Sequence, residues 1–289
     1  MRLLITGSQG QLGRELQRQM RNGKSELGKI PSFFRGADLD CVDLDVLDIS
    51  DRLAVLAYCK KCKPDVVINC AAYTHVDSCE SHPEDAYKAN AIGPRNLAEA
   101  VEAIGAKLMH ISTDYVFAGD QAEPRREYDL PDPISVYGKT KYAGEREVAR
   151  YCSRHCIIRT AWLYGRDGRN FVKTILRIAA EQGEVTVVND QYGNPTNAED
   201  LAHHILKLAA AEAYGLYHCT GNGICSWYDF ACKIVEYSGI QALVKPCASD
   251  AYPTPAKRPA YSALDNMALR LSLGDEMRDW QTALQSYFT

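Results

Sequence analysis

Arg2-Leu3-Leu4-Ile5-Thr6-Gly7-Ser8-Gln9-Gly10-Gln11-Leu12-Gly13 opens the chain with an apolar run, a turn with glycine at every third position, and the start of an amphipathic pattern. A tight turn needs a residue free to take unusual φ, and a pyrophosphate needs a backbone it can approach closely. Amides at a helix start then favour the anion. Gly7, Gly10 and Gly13 meet these needs in Gly-x-x-Gly-x-x-Gly spacing. Glycines alone specify only a turn. Set between a first strand and a first helix, they specify the phosphate-binding turn of a dinucleotide fold. The stretch predicts a strand over Arg2–Thr6 and a helix over 11–20, with Leu12 and Leu16 on one face.

Outward from this turn, β-rich runs alternate with helical patterns, the signature of a parallel sheet covered by helices. Strands are expected at 40–43, 65–70, 107–112 and 156–160, and helices at 51–60, 83–104 and 135–152. Asp65-Val66-Val67-Ile68-Asn69-Cys70 is apolar on both faces, as a strand buried on both sides must be. After Gly165 the alternation weakens. Helices are expected at 170–181, 198–211 and 227–237, short strands at 185–188 and 215–219, and an ordered loop across the four prolines of 246–259. The fold class expected is α/β, a Rossmann-type doubly wound parallel sheet with a smaller, interleaved substrate-binding lobe. Residues 1–165, with a returning segment at about 197–220, make the dinucleotide-binding domain, and 166–196 with 221–289 make the lobe.

The bulk numbers suit such a protein: 289 residues, 46% hydrophobic and 24% charged. A net charge of -4 gives no reason to expect a polyanionic partner, and Arg125-Arg126 and Lys257-Arg258 read as solvated surface, so no nucleic acid is expected. No apolar stretch reaches the ~18–20 residues of a membrane span, and the N-terminal run is too short for a signal peptide. Eleven cysteines are scattered through strands and helices rather than framing loops. They read as thiols of a cytoplasmic protein. Cys59-Lys60-Lys61-Cys62 has redox or zinc spacing but no second pair, and no metal is expected there.

An acidic residue ending the second strand of such a fold binds the adenosine ribose, and Asp43 holds that place. The run Asp38, Asp40, Asp43, Asp45, Asp48 and Asp51 lacks the glycine and glutamate of a calcium loop. It reads as strand alternation followed by a helix cap at Ser50 or Asp51. No Arg or Lys follows Asp43 to neutralise a 2′-phosphate, so NADH should be accepted, with NADPH left open.

Tyr137-Gly138-Lys139-Thr140-Lys141 sets Tyr137 and Lys141 four apart, on one helix face. An ammonium near a phenol stabilises the phenolate and eases proton donation. Ser112-Thr113-Asp114 ends a strand upstream, where Thr113 could hold a substrate oxygen for Tyr137.

These residues, with Asn69-Cys70-Ala71-Ala72-Tyr73-Thr74 and Tyr115-Val116-Phe117, resemble the extended short-chain dehydrogenases. More narrowly, Arg159-Thr160-Ala161-Trp162-Leu163-Tyr164-Gly165, Asn170-Phe171, Asn189-Asp190-Gln191-Tyr192-Gly193, Pro195-Thr196, Tyr252-Pro253-Thr254-Pro255 and Arg258-Pro259 resemble the dTDP-4-dehydrorhamnose reductases. The resemblance implies NADPH- or NADH-dependent reduction of the C4 ketone of dTDP-4-dehydro-L-rhamnose. It makes Tyr137 the proton donor, has Thr113 orient the carbonyl, and gives Lys141 the nicotinamide ribose. It adds Gln9, Gln11, Leu12, Asp48, Ile49, Ala71, Ala72 and Thr74 to the cofactor contacts. Asp114, Tyr115, Trp162 and Asn170 go to the sugar nucleotide, and Arg258 to its diphosphate. The partner implied is a small-molecule nucleotide sugar, bound by a monomer or homodimer. Some members share magnesium between subunits; Glu15 and Glu199 stand at matching positions, but Leu284-Gln285-Ser286-Tyr287-Phe288-Thr289 offers no carboxylate to join them.

Three other readings share the pattern. A nucleotide-sugar dehydratase places an Asp-Glu pair where this chain has Asp114-Tyr115, and Tyr115 is no carboxylate. An epimerase would regenerate its cofactor rather than consume it. A non-catalytic subunit, like the regulatory β subunit of methionine adenosyltransferase, would not require Thr113, Tyr137 and Lys141 together.

Overall fold

Six parallel strands form the central sheet of the computed structural model, which describes residues 1–289. They are β1 (Arg2–Thr6), β2 (Asp38–Val42), β3 (Val66–Asn69), β4 (Lys107–Thr113), β5 (His155–Thr160) and β6 (Gly215–His218). The order across the sheet is β6-β5-β4-β3-β1-β2. From β1 the chain steps outward to β2, then crosses back over β1 to β3 and continues the other way. The winding reverses between β1 and β3, and in such sheets ligands bind beyond the carboxyl ends of the strands at that reversal.

The longer helices are α1 (Gln11–Asn22), α2 (Arg52–Cys62), α3 (Gly93–Ile104), α4 (Val136–Tyr151), α5 (Phe171–Gln182), α6 (Ala198–Ala210), α7 (Trp227–Ser238) and α8 (Trp280–Phe288). Strand alternation divides the apolar residues between two layers. Leu3 and Ile5 pack with Leu12 and Leu16 of α1 and Ile205 of α6, whereas Leu4 packs with Val55 of α2, Leu97 of α3 and Val148 of α4. Burying both faces explains why the strands read as continuous apolar runs. A third core gathers Ile175, Phe230, Ile234, Trp280 and Leu284 from α5, α7 and α8. It packs Val185 and Val187 of the strand Glu184–Val188, which pairs in parallel with Leu243–Cys247.

Several boundaries differ from expectation. The helix expected over 83–104 is three pieces, with a wider π-type turn at Lys88–Ile92 between Pro83–Tyr87 and α3. Pro94 has no N–H to give the carbonyl of Asn90, so the regular ladder breaks there. The second strand is Asp38–Val42, which leaves Asp43 just past its end, because the register with β1 stops at Thr6 and Val42. The loop expected from Pro246 starts later, since Leu243–Cys247 is a strand whose proline is tolerated in a two-stranded pair. Asp51, not Ser50, caps α2, accepting the Ala54 N–H at 3.0 Å. The hairpin of Lys24–Ser25 with Gly28–Lys29, and the helices Val76–Ser81, Met267–Ser272 and α8, carried no periodicity long enough to read. All eleven cysteines are free, and no helix is long and apolar enough to cross a membrane.

Candidate active site

A cleft of about 990 Å³ opens where the strand order reverses, the upper end of the size usual for ligand sites. One end is built by the glycine turn. Gly7 takes φ 64°, and a Cβ there would stand 2.6 Å from Ala71 N and 2.7 Å from Cys70 C. The carboxyl ends of β1 and β3 therefore meet backbone to backbone. Thr6 Oγ1 donates to Asn69 Oδ1 at 2.7 Å, and the Ala71 N–H donates to the same oxygen at 3.1 Å. No side chain caps α1 at Gly10, which leaves its first-turn amides to an anion. Asp43 is held beside the turn, its Oδ2 accepting the Gln9 N–H at 2.9 Å and its Oδ1 the Leu44 N–H at 2.9 Å. A bare glycine backbone, a free helix start and a fixed carboxylate fit the pyrophosphate and ribose of a dinucleotide. Leu44, Leu47, Asp48 and Ile49 continue the lining after Asp43, and Lys88, Lys141 and Arg169 are the lysines and arginines of the whole cleft.

The other end is where β4 meets α4. Thr113 ends β4 and caps the single turn Asp114–Val116, accepting the Tyr115 N–H at 3.2 Å. Ser135 caps α4 by accepting the Gly138 N–H at 3.1 Å. A Cβ at Gly138 would lie 2.1 Å from the Tyr115 carbonyl, so only glycine lets the helix start lie directly on that turn. The close approach brings Tyr137, Lys141, Thr113, Asp114 and Tyr115 to the cleft together. The Tyr115 and Tyr137 rings meet edge to face at 5.5 Å. Lys141 Nζ donates to the Ile111 carbonyl at 2.6 Å. Below it, Glu145 accepts from Ser112 Oγ and forms a two-pronged pair with Arg159, at 2.9 and 2.7 Å.

A glycine turn, a β4 threonine and a Tyr-x-x-x-Lys helix in one cleft are matched along the whole chain by known proteins. The RmlD substrate binding domain family matches residues 1–289. The chain belongs to the RmlD family. A dTDP-4-dehydrorhamnose reductase from Escherichia coli strain K12 is 40% identical over 296 residues, covering 99% of this chain and 96% of that one. A crystal structure of a dTDP-4-dehydrorhamnose reductase from Clostridium acetobutylicum superposes with a TM-score of 0.94 at 47% identity, covering 99% of this chain and 98% of that one. The Bacillus anthracis reductase, solved in complex with NADP, gives 0.93 at 41% identity, with coverage of 99% and 98%.

Electrostatics separate the titratable groups of this RmlD-family cleft. Burial pushes the Tyr137 phenol above its usual value, with the Thr113 hydroxyl beside it pulling the other way. Burial thus outweighs the ammonium effect expected from the Tyr–Lys spacing. Burial brings Lys141 down to about 8, opposed by Glu145. Asp114 is raised to about 6 by burial. His218, lowered by burial to about 3, is a neutral partner within 3.4 Å of Arg159 Nη1.

Three expected residues stand off the cleft lining of the RmlD-family chain. Gln9 is tied through its backbone to Asp43. Asn170 caps α5, accepting the Lys173 N–H, and donates to Gln11 Oε1 at 2.9 Å. Arg258 pairs with Asp77 at 2.8 Å and reaches Tyr115 Oη at 3.4 Å. Glu15 and Glu199 come together, with the Arg18 guanidinium paired to both. Sequence reasoning missed Glu145, which no local pattern marks. It also missed Trp227, whose ring stacks on Trp162 at 3.5 Å with 4° between planes. Trp162 itself holds φ 48°, a strained value for a bulky residue, beside the cleft.

The glycine turn gives the first prediction. Gly7→Ala must move the Cys70-Ala71 backbone and hold a left-handed φ, at a cost of roughly 1–3 kcal/mol. Fluorescence titration with NADH should show at least about tenfold weaker binding, together with a lower melting temperature. Unchanged affinity would mean that the turn does not carry the cofactor.

Proposed function

We propose that this protein is an NAD(P)H-dependent oxidoreductase that reduces the C4 ketone of dTDP-4-dehydro-L-rhamnose to give dTDP-L-rhamnose for surface polysaccharide. The observation that carries the reading is the meeting of Thr113, Tyr137 and Lys141 with the glycine turn in one cleft, in a chain 40% identical along its length to a dTDP-4-dehydrorhamnose reductase.

When bound, the reduced nicotinamide supplies the hydride. Tyr137 delivers a proton to the ketone oxygen as it gains charge, and its raised phenol is fully protonated at neutral pH, as an acid must be. Thr113 positions the reacting oxygen beside Tyr137. Lys141 holds the nicotinamide ribose with a proton of its own, fixed by the Ile111 carbonyl. Gly7, Gly10, Gly13 and the amides of Gln11 and Leu12 take the pyrophosphate, and Asp43, next to Gln9, takes the adenosine ribose. Asp48, Ile49, Ala71, Ala72 and Thr74 shape the walls. The sugar lies against Asp114, Tyr115 and Trp162, while Asn170 steadies Gln11. Arg258 meets the diphosphate by exchanging Asp77 for phosphate oxygens, which suit its planar fork.

Residues 1–165 with about 197–220 form the cofactor-binding part, and 166–196 with 221–289 the substrate lobe. The enzyme works in the cytoplasm as a monomer or homodimer, without nucleic acid.

The test is to offer purified protein dTDP-4-dehydro-L-rhamnose with NADH or NADPH separately, following nicotinamide absorbance and identifying the sugar by mass spectrometry. One cofactor oxidised per ketone reduced is the expected result. Turnover without net oxidation would indicate an epimerase. No turnover, with tight binding to a methionine adenosyltransferase, would indicate a regulatory subunit.

A further inference from the structure

Trp162 goes against two local preferences at once. Its backbone takes φ 48°, a left-handed value that a bulky side chain rarely holds. Its indole lies on that of Trp227 with centroids 3.5 Å apart and 4° between planes, whereas free aromatic pairs settle offset or edge to face. Both residues line the cleft. A conformation disfavoured twice persists only where its surroundings impose it.

The surroundings form a slot. A Cβ at Gly193 would stand 2.5 Å from Trp162 Cε2, 2.6 Å from Nε1 and 2.8 Å from Cζ2, so the indole rests directly on the Gly193 backbone. Trp227 covers a face of the same ring. The two walls are tied to each other. Gly193 pairs with Cys225 and Tyr192 with Ser226 in an antiparallel ladder, and the Trp227 N–H donates to the Gln191 carbonyl at 3.3 Å. Ser226 and Asp229 form a capping box that fixes the start of α7, and Trp227 with it. Phe171 braces the Trp227 ring at 4.4 Å. The Trp162 main chain is held as well, since its carbonyl accepts the Thr196 N–H at 3.2 Å and Leu163 pairs with Thr196.

We propose that Trp227 is a positioning residue for the substrate: stacked on Trp162 and working with Gly193, it locks that indole in the one orientation that walls the sugar end of the cleft. The proposal rests on the reading of Trp162 as a sugar contact. A rigid wall presents the 4-keto sugar in a single pose, with its ketone toward Thr113 and Tyr137. Without the stack the indole regains other rotamers, and the wall it gives the sugar is lost.

The experiment measures steady-state kinetics of wild type, W227L, W227F, G193A, W162L and the W162L/W227L double variant with dTDP-4-dehydro-L-rhamnose and NADH. W227L should raise KM for the sugar nucleotide about tenfold. KM for NADH should hold, because the glycine turn and Asp43 carry the cofactor. W227F, which keeps an aromatic face, should stay within about threefold of wild type. G193A should repeat the W227L signature from the other wall, since its Cβ displaces the same ring. In the W162L background W227L should cost nothing further. A purely structural role would lower the active fraction of W227L, and so kcat, with KM unmoved. That result, or a full W227L penalty in W162L, overturns the proposal. A second measurement needs no turnover. In protein labelled with fluorotryptophan, the three tryptophans give three ¹⁹F resonances. That of Trp162 should shift when dTDP-L-rhamnose binds wild type, broaden in W227L and stay narrow in W227F. A Trp162 resonance as narrow in W227L as in wild type overturns the slot even if the substrate assignment fails, and wild-type inactivity alone counts against the substrate assignment.

Discussion

Tyr137→Phe will fold as the parent does and reduce the sugar about 10²–10⁴-fold more slowly. The substitution removes one oxygen. The edge-to-face contact with Tyr115 survives, because it belongs to the ring. Lys141 keeps its bond to the Ile111 carbonyl, which does not involve the phenol. Cofactor affinity and melting temperature should therefore hold while kcat collapses, with KM changed far less, the pattern of an interaction made mainly in the transition state. Steady-state kinetics beside an NADH titration checks both halves. Near-normal turnover in this variant would remove Tyr137 from the mechanism and, with it, the basis for reading this cleft as a reductase site.

The parts of the site that could be read from sequence are those where one short segment carries its own chemistry. The glycine turn is contiguous, and its neighbours on each side announce a strand and a helix. Tyr137 and Lys141 share a face because they are four apart on α4. The central strands were legible because burial on both faces leaves long apolar runs. What escaped depends on segments distant in sequence. Trp162 and Trp227 stack only because α7 lies against the cleft. The π-type turn at Lys88–Ile92 is the local exception, set by one missing amide, at Pro94, inside a pattern that otherwise favours a continuous helix. Asn90, in that turn, donates to Thr140 on α4 at 3.1 Å and accepts the Tyr73 N–H at 2.8 Å, joining three segments that no periodicity relates. Glu145 belongs with these. It reads as one more exposed helical glutamate until β4 and β5 bring Ser112 and Arg159 to it.

That buried pair supplies the second large effect. Arg159 is 2% exposed and Glu145 4%. Arg159→Met strands a carboxylate between sheet and helix, which costs about 3–5 kcal/mol, and the melting temperature should fall on the order of 10 °C. Replacing both, with Glu145→Leu added, removes the orphaned charge and should restore most of the loss. Activity should not return with it. Glu145 is one turn along α4 from Lys141 and is the main group holding that ammonium protonated against burial. Without Glu145 the lysine, already near 8, titrates lower still. Its charged form is present below the pKa and lost as pH rises through it, so the alkaline limb of kcat/KM should shift toward neutral pH in the double variant. Thermal melting and a pH–rate profile on the same preparation separate the two roles. A double variant that regains both stability and an unshifted profile would show that the pair serves packing alone.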